Sequence, residues 1–140
     1  MAHATDVADY IIRSIPVDPL KLQKLLFYTQ AVSLVKFNVP AFEDRIEAWD
    51  YGPVVRTVYD KYKNSNEVIT PPEASATCLD LNTITSADLV IDYYGKMIGP
   101  ALINETHSES PWRDAYSRAQ NSVISNEVMK EYYSKIFSFD

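Results

Sequence analysis

The segment between Asp18 and Asn38 constrains the fold more than any other part of this chain. Asp18 is a typical N-cap residue and Pro19 suits the first helical position, so the pair predicts the start of a helix. The helix that follows, from about Pro19 to Phe37, is apolar on most of its sides. A helix with so little polar surface is typical of the buried centre of a bundle. We therefore expect the rest of the chain to pack around it.

The charges on this helix argue against a membrane-spanning segment. Lys21, Lys24 and Lys36 interrupt the apolar run, and so many charges are unusual in a helix that crosses a bilayer. Lysines on such a helix commonly lay their methylene stems against the core and keep their ammonium groups in water. We expect Lys21 and Lys24 to do the same.

The composition fits a cytoplasmic protein that binds neither nucleic acid nor membrane. The length predicts a single domain over residues 1–140, and the net charge of −6 opposes binding to phosphates. Cys78 is the single cysteine, so the chain cannot form an internal disulfide, which fits a reducing cytosol. The first residues include Asp6 and Asp9 and lack the basic and apolar regions of a secretory signal.

Helical periodicity recurs along most of the chain, as apolar residues spaced i, i+3, i+4 and i+7. The predicted helix starts are Thr5 or Asp6; Gly52, with Pro53 at the first helical position; Thr85 or Ser86, with Asp88 completing a capping box; Gly99 and Pro100; Ser110, with Pro111 at the first helical position; and Ser125. Residues 64–82 show no period and are predicted to be irregular. The sequence therefore predicts an all-α, compact bundle of about six or seven helices around the central apolar helix, with one short β piece near residues 45–51.

No spacing typical of a metal or catalytic site is present. The histidines are His3 and His107, and neither forms a ligand motif with Cys78. A small hydrolase or transferase using His107 with Glu105 or Asp114 is an alternative, and it requires a pocket where these side chains meet. The simpler interpretation is that His107 ends a helix as an imidazolium, favoured there by the helix dipole. We expect no cofactor, no metal and no catalytic residue.

Two further compositional features bear on partners. Four acidic residues lie close together in the sequence and are interpreted as a solvated face and a possible docking face for a basic partner: Glu43, Asp44, Glu47 and Asp50. The chain also has ten tyrosines, most of them on helical stripes. Such tyrosines are expected to pack in the core with the hydroxyl at the rim, although tyrosine is also common at protein interfaces.

Two junctions rich in aromatic residues and proline carry a family resemblance. Residues 48–55 read Ala-Trp-Asp-Tyr-Gly-Pro-Val-Val, and residues 105–112 read Glu-Thr-His-Ser-Glu-Ser-Pro-Trp. Residues 20–28 read Leu-Lys-Leu-Gln-Lys-Leu-Leu-Phe-Tyr, and residues 124–127 read Ile-Ser-Asn-Glu. In this order and at these separations they resemble the Panacea domain, also called the SocA-like antitoxin domain and first noted as a phage-associated protein. The resemblance extends over about residues 8–137.

The resemblance implies a type II antitoxin from a prophage, which neutralises a co-encoded toxin protein by binding it and needs no catalytic residue. One family member instead delivers its toxin to a cytosolic protease, so a proteolytic adaptor is an alternative. The residues that match the family motif are Lys21, Gln23, Lys24, Trp49, Tyr51, Gly52, Pro53, Val54, Thr106, His107, Pro111 and Trp112. We expect these residues mostly to specify the fold, with Trp49 and Tyr51 pinning their junction to the core, and toxin contact is the alternative role.

Overall fold

A computed structural model describes residues 2–65, 67–71 and 79–139 of the protein. The elements found in these residues are α1 (Ala4–Ser14), α2 (Pro19–Phe37), β1 (Ile46–Trp49), β2 (Gly52–Val55), α3 (Arg56–Tyr62), α4 (Leu81–Tyr94), α5 (Gly99–His107), α6 (Ser110–Arg118), β3 (Val123–Ile124) and α7 (Asn126–Tyr133). The seven helices confirm the predicted mainly α-helical class. Cys78 and part of the segment predicted to be irregular lie outside the described residues.

The central helix α2 begins and ends as the sequence predicts. The Asp18 carboxylate accepts a hydrogen bond of 2.8 Å from the backbone N–H of Lys21, and Pro19 occupies the first helical position. The helix ends at Asn38, whose φ of 60° is the left-handed conformation that asparagine tolerates. Every residue from 22 to 34 is buried. Helices α1, α3, α4, α5 and α7 and strand β2 all pack against α2, so the expected bundle around a central helix is confirmed.

A three-stranded antiparallel sheet stands where we predicted a helix start. Strand β1 lies between β2 and β3, and Trp49 pairs with Gly52 across a tight turn. Gly52 has a φ of 107°, which L side chains rarely adopt. The short β piece near residues 45–51 is therefore confirmed as one arm of a hairpin, whereas the helix predicted from Gly52 and Pro53 is wrong. The two valines after Pro53 favour a strand, and α3 begins only at Arg56.

Three of the predicted helix starts are displaced. Helix α1 begins at Ala4 with His3 as its N-cap, ahead of the predicted Thr5 or Asp6. Helix α4 begins at Leu81, because the Asp80 carboxylate accepts a hydrogen bond of 2.8 Å from the N–H of Thr83.

The capping box predicted at Thr85 and Asp88 therefore does not start this helix. Helix α6 begins at Ser110 itself, with Glu109 in the N-cap position. The predicted starts at Gly99 and at Ser125 are confirmed, and the Ser125 hydroxyl accepts from the N–H of Val128.

The core is one connected cluster of buried hydrophobic side chains that includes members of all seven helices named above. Its aromatic part is centred on Tyr28 of α2, whose ring stacks on Tyr94 of α4 with centroids 4.1 Å apart. Phe27 and Tyr133 meet edge to face at 5.9 Å. No helix in the described part of the chain is long and apolar enough to span a membrane.

Candidate functional site

The two aromatic junctions of the sequence meet in space. The indole nitrogen of Trp112, near the start of α6, donates a hydrogen bond of 2.8 Å to the carbonyl oxygen of Trp49 at the end of β1. The Trp112 ring stacks on two other rings, His107 with centroids 3.9 Å apart and Tyr116 with centroids 4.7 Å apart. The fold therefore joins motif residues that are about sixty positions apart in the sequence.

Lys24 is completely buried against Gly52 and Pro53, the residues that follow the hairpin turn. Its ammonium group donates a hydrogen bond of 3.2 Å to the carbonyl oxygen of Pro53. A Cβ atom on Gly52 would lie 2.8 Å from Cε of Lys24 and 3.0 Å from Oγ1 of Thr106. Because glycine has no Cβ atom, Gly52 leaves room for the side chain of Lys24. Our expectation that the Lys24 ammonium reaches water is wrong.

Burial lowers the pKa of Lys24 to about 7, because a charged ammonium is poorly solvated inside the protein. Among the described residues, no carboxylate forms an ion pair with it. Lys21, one turn earlier, is half-buried and donates to the carbonyl oxygen of Gly95 at 2.6 Å. The two lysines of the motif therefore have different surroundings, and Lys24 alone is a buried charge without a carboxylate partner.

Gln23 holds strand β2 against α2. Its side-chain oxygen accepts a hydrogen bond of 2.8 Å from the N–H of Val55, and its side-chain nitrogen donates to the carbonyl oxygen of the same residue at 3.2 Å. This pair of bonds satisfies both backbone groups of a buried residue, as a neighbouring strand would. Gln23 therefore helps to determine the fold. Val54 and Pro53, which belong to the same strand as Val55, are buried as well.

Trp49 and Tyr51 differ in their contacts. The Trp49 ring is half-buried between Tyr59, at a centroid distance of 4.8 Å, and the Arg56 guanidinium, at 5.3 Å. Tyr51, in contrast, has 67% of its surface exposed. The expectation that Tyr51 pins the junction to the core is therefore wrong. Packing in the core therefore does not explain why the motif has a tyrosine at position 51.

The four acidic residues do not form one solvated face. Glu47 is buried, accepting hydrogen bonds from the indole of Trp49 at 2.9 Å and from Arg56 at 3.2 Å, and it also pairs with Arg45. Burial favours a raised pKa for Glu47, but these donors and positive charges outweigh it and hold the pKa below its ordinary value. Its buried carboxylate contradicts our expectation of a solvated side chain.

The other acids stand nearer to solvent. Asp44 is half-buried and accepts from the N–H of Ala4 and the hydroxyl of Thr57, at 2.9 and 2.7 Å. Glu43 and Asp50 are exposed. A docking face at this position would therefore rest on Glu43 and Asp50 rather than on all four carboxylates.

His107 ends helix α5, as expected, but not as a favoured imidazolium. Burial lowers its pKa, the nearby charge of Lys24 lowers it further, and the backbone of Asp50 acts in the opposite direction. Its Nε2 atom is buried and has no hydrogen-bond partner within the described part of the chain. Glu105 and Asp114 are both exposed to solvent. The pocket that the hydrolase alternative requires around these three side chains is not formed by them.

Glu109 is a buried functional group that the sequence pattern does not reveal. Its Oε1 atom accepts hydrogen bonds of 2.7 Å from the hydroxyls of both Tyr28 and Tyr133. Burial raises the pKa of Glu109, while these two hydrogen bonds act to lower it. The expectation that tyrosine hydroxyls lie at the rim of the core is wrong for both tyrosines. A polar residue just before a helix start is ordinarily exposed, so the sequence pattern gave no signal for this cluster.

A pocket of about 660 Å³ opens beside Lys24, between the start of α2, the hairpin turn and α3. Its walls are mainly apolar or aromatic, and they include Leu20, Trp49, Val54, Val58, Tyr59 and Tyr62. None of His107, Glu105 and Asp114 lines it. Among the described residues, no group of three or more histidine, cysteine, aspartate or glutamate side chains is placed to hold a metal ion.

Taken together, these features define a small, mainly α-helical protein in which a central helix and two interlocked tryptophan junctions enclose a buried lysine. The family model for the antitoxin SocA-like, Panacea domain matches residues 22–113, from α2 into α6. The chain belongs to this family. Membership supports an antitoxin-type function, a toxin as partner in general and a non-enzymatic role. No curated protein and no solved structure shows a significant match to the chain.

Proposed function

We propose that this protein neutralises one particular toxin protein by binding it directly in the cytoplasm, and that the toxin is encoded beside it in a prophage. The observation that carries the proposal is the family match, which includes both tryptophan junctions. Such neutralisation needs a stable surface of about 800 Å² on each partner and no chemical step. The whole chain, residues 1–140, is proposed to act as one binding domain.

We place the toxin contact around Tyr51. Residues that determine the fold are buried or bonded within it, as Gln23 and Trp112 are, whereas Tyr51 is largely exposed at the hairpin turn. Large exposed aromatic side chains are frequent anchors of protein interfaces. The exposed acids Glu43 and Asp50 lie in the same part of the chain. They would complement positive charge on a basic toxin.

The experiment is co-expression with the neighbouring gene. We expect the neighbour to arrest growth alone and the wild-type protein to restore it. Tyr51→Ser should lose the rescue while keeping the wild-type unfolding transition. Tyr93→Ser is the matched control, because Tyr93 lies on α4 with 78% of its surface exposed and is not a motif residue. It should rescue fully.

A toxic neighbour that gains nothing from co-expression would overturn the antitoxin assignment. Full rescue by Tyr51→Ser would overturn only the placement of the contact. Direct neutralisation also predicts that toxin and antitoxin purify together and that the toxin level stays unchanged in rescued cells. A toxin that disappears in rescued cells and persists in cells lacking a cytosolic protease would establish the adaptor mechanism in its place.

A further inference from the structure

The pocket between the start of α2, the hairpin turn and α3 presents large apolar side chains to solvent. Tyr51 has 67% of its surface exposed, Tyr59 39% and Leu20 36%, and all three line this pocket of about 660 Å³. Trp49 is half-buried in the same wall. Exposed apolar side chains that gather around one concave surface, rather than lying singly, mark a binding site.

The polar groups buried beside this pocket are closed to a ligand. The Lys24 ammonium is completely buried and donates to the carbonyl oxygen of Pro53, and the hydroxyl of Tyr62 is shut off from solvent. A small-molecule site ordinarily places a few polar groups inside its apolar cavity, where they fix the orientation of the ligand. The apolar wall that remains accessible therefore suits the side chains of a protein better than a small polar molecule.

A partner cannot reach this site by adding a strand to β2, although β2 is an edge strand of the sheet. Pro53 has no backbone N–H, and its carbonyl oxygen accepts from Lys24. Both backbone groups of Val55 are bonded to the side chain of Gln23. Strand addition needs free backbone groups at the sheet edge, so binding at the pocket has to rely on inserted side chains.

The charges at the pocket favour a basic partner. Asp50 is exposed, Asp18 is half-buried, and both line the pocket. Neither takes part in an ion pair within the described part of the chain. The exposed Lys63 opposes them with one positive charge. The whole protein has a net charge of −6, so it repels a second copy of itself and attracts a basic protein.

We propose that this pocket receives a segment of the toxin that inserts large apolar side chains against Leu20, Trp49 and Tyr59, while a flanking basic residue pairs with Asp50 or Asp18. The inference rests on the proposed function, because the occupant is the toxin. It goes beyond the contact at Tyr51, since it names the cavity that is filled and the chemistry of the segment that fills it. Apolar anchors seated in a pocket dominate the affinity of such interfaces, whereas charges at the rim mainly govern the rate of association.

The test is titration calorimetry of the full-length protein with the purified product of the toxic neighbouring gene. Leu20→Ser removes part of the apolar wall, and we expect it to weaken binding at least about 10-fold. Leu81→Ser is the matched control, because Leu81 begins α4 with 76% of its surface exposed and does not line the pocket. It should bind as the wild type does.

Ser65→Trp tests the same pocket without removing any of its wall, should Leu20→Ser fail to fold. Ser65 is exposed and lines the pocket, so the added indole occupies space that the toxin segment needs. We expect a loss of affinity similar to that of Leu20→Ser. Urea denaturation of each variant shows whether it is folded before its binding is compared with that of the wild type.

The charge of the pocket is tested by the double variant Asp18→Asn/Asp50→Asn. Asparagine caps a helix about as well as aspartate, and it keeps an oxygen that accepts hydrogen bonds at position 50. We expect toxin association to be several-fold slower at low ionic strength and less sensitive to salt. Asp92→Asn/Asp114→Asn is the matched control, because it removes the same charge from exposed positions outside the pocket. It should associate faster than the pocket variant.

The outcomes separate this inference from the proposed function. A wild-type protein that does not bind its toxic neighbour would overturn the proposed function and this inference with it. Wild-type binding that folded Leu20→Ser and Ser65→Trp both leave unchanged would overturn the pocket alone. Equal association rates for the two charge variants would overturn the basic flank of the segment. A wild-type dimer in sedimentation that Leu20→Ser dissociates would identify a second copy as the occupant, against the proposal.

Discussion

The indole N–H of Trp112 donates a hydrogen bond of 2.8 Å to the carbonyl oxygen of Trp49. This bond helps to attach helix α6 to the end of strand β1, just before the turn that covers Lys24. The two most recognisable segments of the sequence are therefore parts of one structural unit. Substitution of either tryptophan should therefore alter the structure of the hairpin turn and of the neighbouring pocket.

We expect Trp112→Phe to lower the free energy of unfolding by about 1–3 kcal/mol, because the Trp49 carbonyl loses its partner in a partly buried position. Urea denaturation measures the change. Tyr116→Phe is the control: it removes a hydrogen bond to Asp50 from the same helix, but at an exposed site, so a smaller loss is expected. Equal losses in the two variants would contradict the structural role assigned to the Trp112–Trp49 bond.

The buried Glu109 should distinguish a lost charge from lost hydrogen bonds. Glu109→Gln keeps an oxygen that can accept from Tyr28 and Tyr133, and we expect its stability at pH 7.5 to equal or exceed that of the wild type. Glu109→Ala leaves two buried hydroxyls unpaired and should cost about 2–5 kcal/mol. An amide variant as unstable as the alanine variant would refute this expectation.

The pH dependence of the Glu109 contribution follows from its raised pKa. The folded protein holds the Glu109 proton to a higher pH than the unfolded chain, so this group favours folding at low pH. Its contribution is lost as the pH rises from the ordinary value of 4.5 through the raised pKa. Urea denaturation at pH 4.5 and 7.5 should show that Glu109→Gln gains stability relative to the wild type at the higher pH. No change in this difference between the two pH values would contradict the raised pKa.

Lys24 should make stability depend on pH in the opposite direction. Its pKa falls from 10.5 to about 7 on folding, so the unfolded chain binds more protons between these values and stability rises with pH there. Lys24→Met removes a buried charge and is expected to be more stable than the wild type by about 1–3 kcal/mol below pH 7. The advantage should shrink toward pH 10. Lys21→Met retains Lys24, so its free energy of unfolding should change with pH as that of the wild type does. The prediction is refuted if the free energy of unfolding of Lys24→Met has the same pH dependence as the wild type.

Gly52 is the position where a single added methyl group should be least tolerated. In Gly52→Ala the new Cβ atom would lie 2.8 Å from Cε of Lys24, on a backbone with φ of 107°. We expect a loss of about 1–3 kcal/mol in the free energy of unfolding. Gly99→Ala is the control, because its Cβ atom would make an ordinary contact of 3.4 Å with Leu20. Thermal melts of the two variants should differ clearly, and equal melting temperatures would contradict the packing described.

The central helix was predictable because its signals are local. Asp18 and Pro19 define its start, and its apolar sides require burial whatever surrounds it. The hairpin was not predictable in the same way, because Gly52 and Pro53 also fit the start of a helix. Pairing with β1 and the contact from Gln23 decide between the two structures. These contacts depend on the tertiary fold.

The motif residues of the candidate site could be identified from the sequence, but their surroundings could not. A lysine on an apolar helix ordinarily reaches water, and only the approach of Pro53 and Gly52 to the helix encloses Lys24. Glu109 became a buried group for a similar reason, since its tyrosine partners come from α2 and α7. The sequence predicts Tyr51 to lie in the core, whereas the tight turn places it at the surface.

The position of α2 at the centre of the fold has a consequence for synthesis. The helix emerges early from the ribosome, but Tyr28 meets Glu109 only 81 residues later, and Tyr133 follows 24 residues after that. At a translation rate of about 5–20 residues per second, α2 remains incompletely covered for several seconds until α7 has been synthesised. The nascent chain therefore exposes the apolar surface of α2 for most of its translation, and the buried cluster of Tyr28, Glu109 and Tyr133 forms only once α7 has emerged.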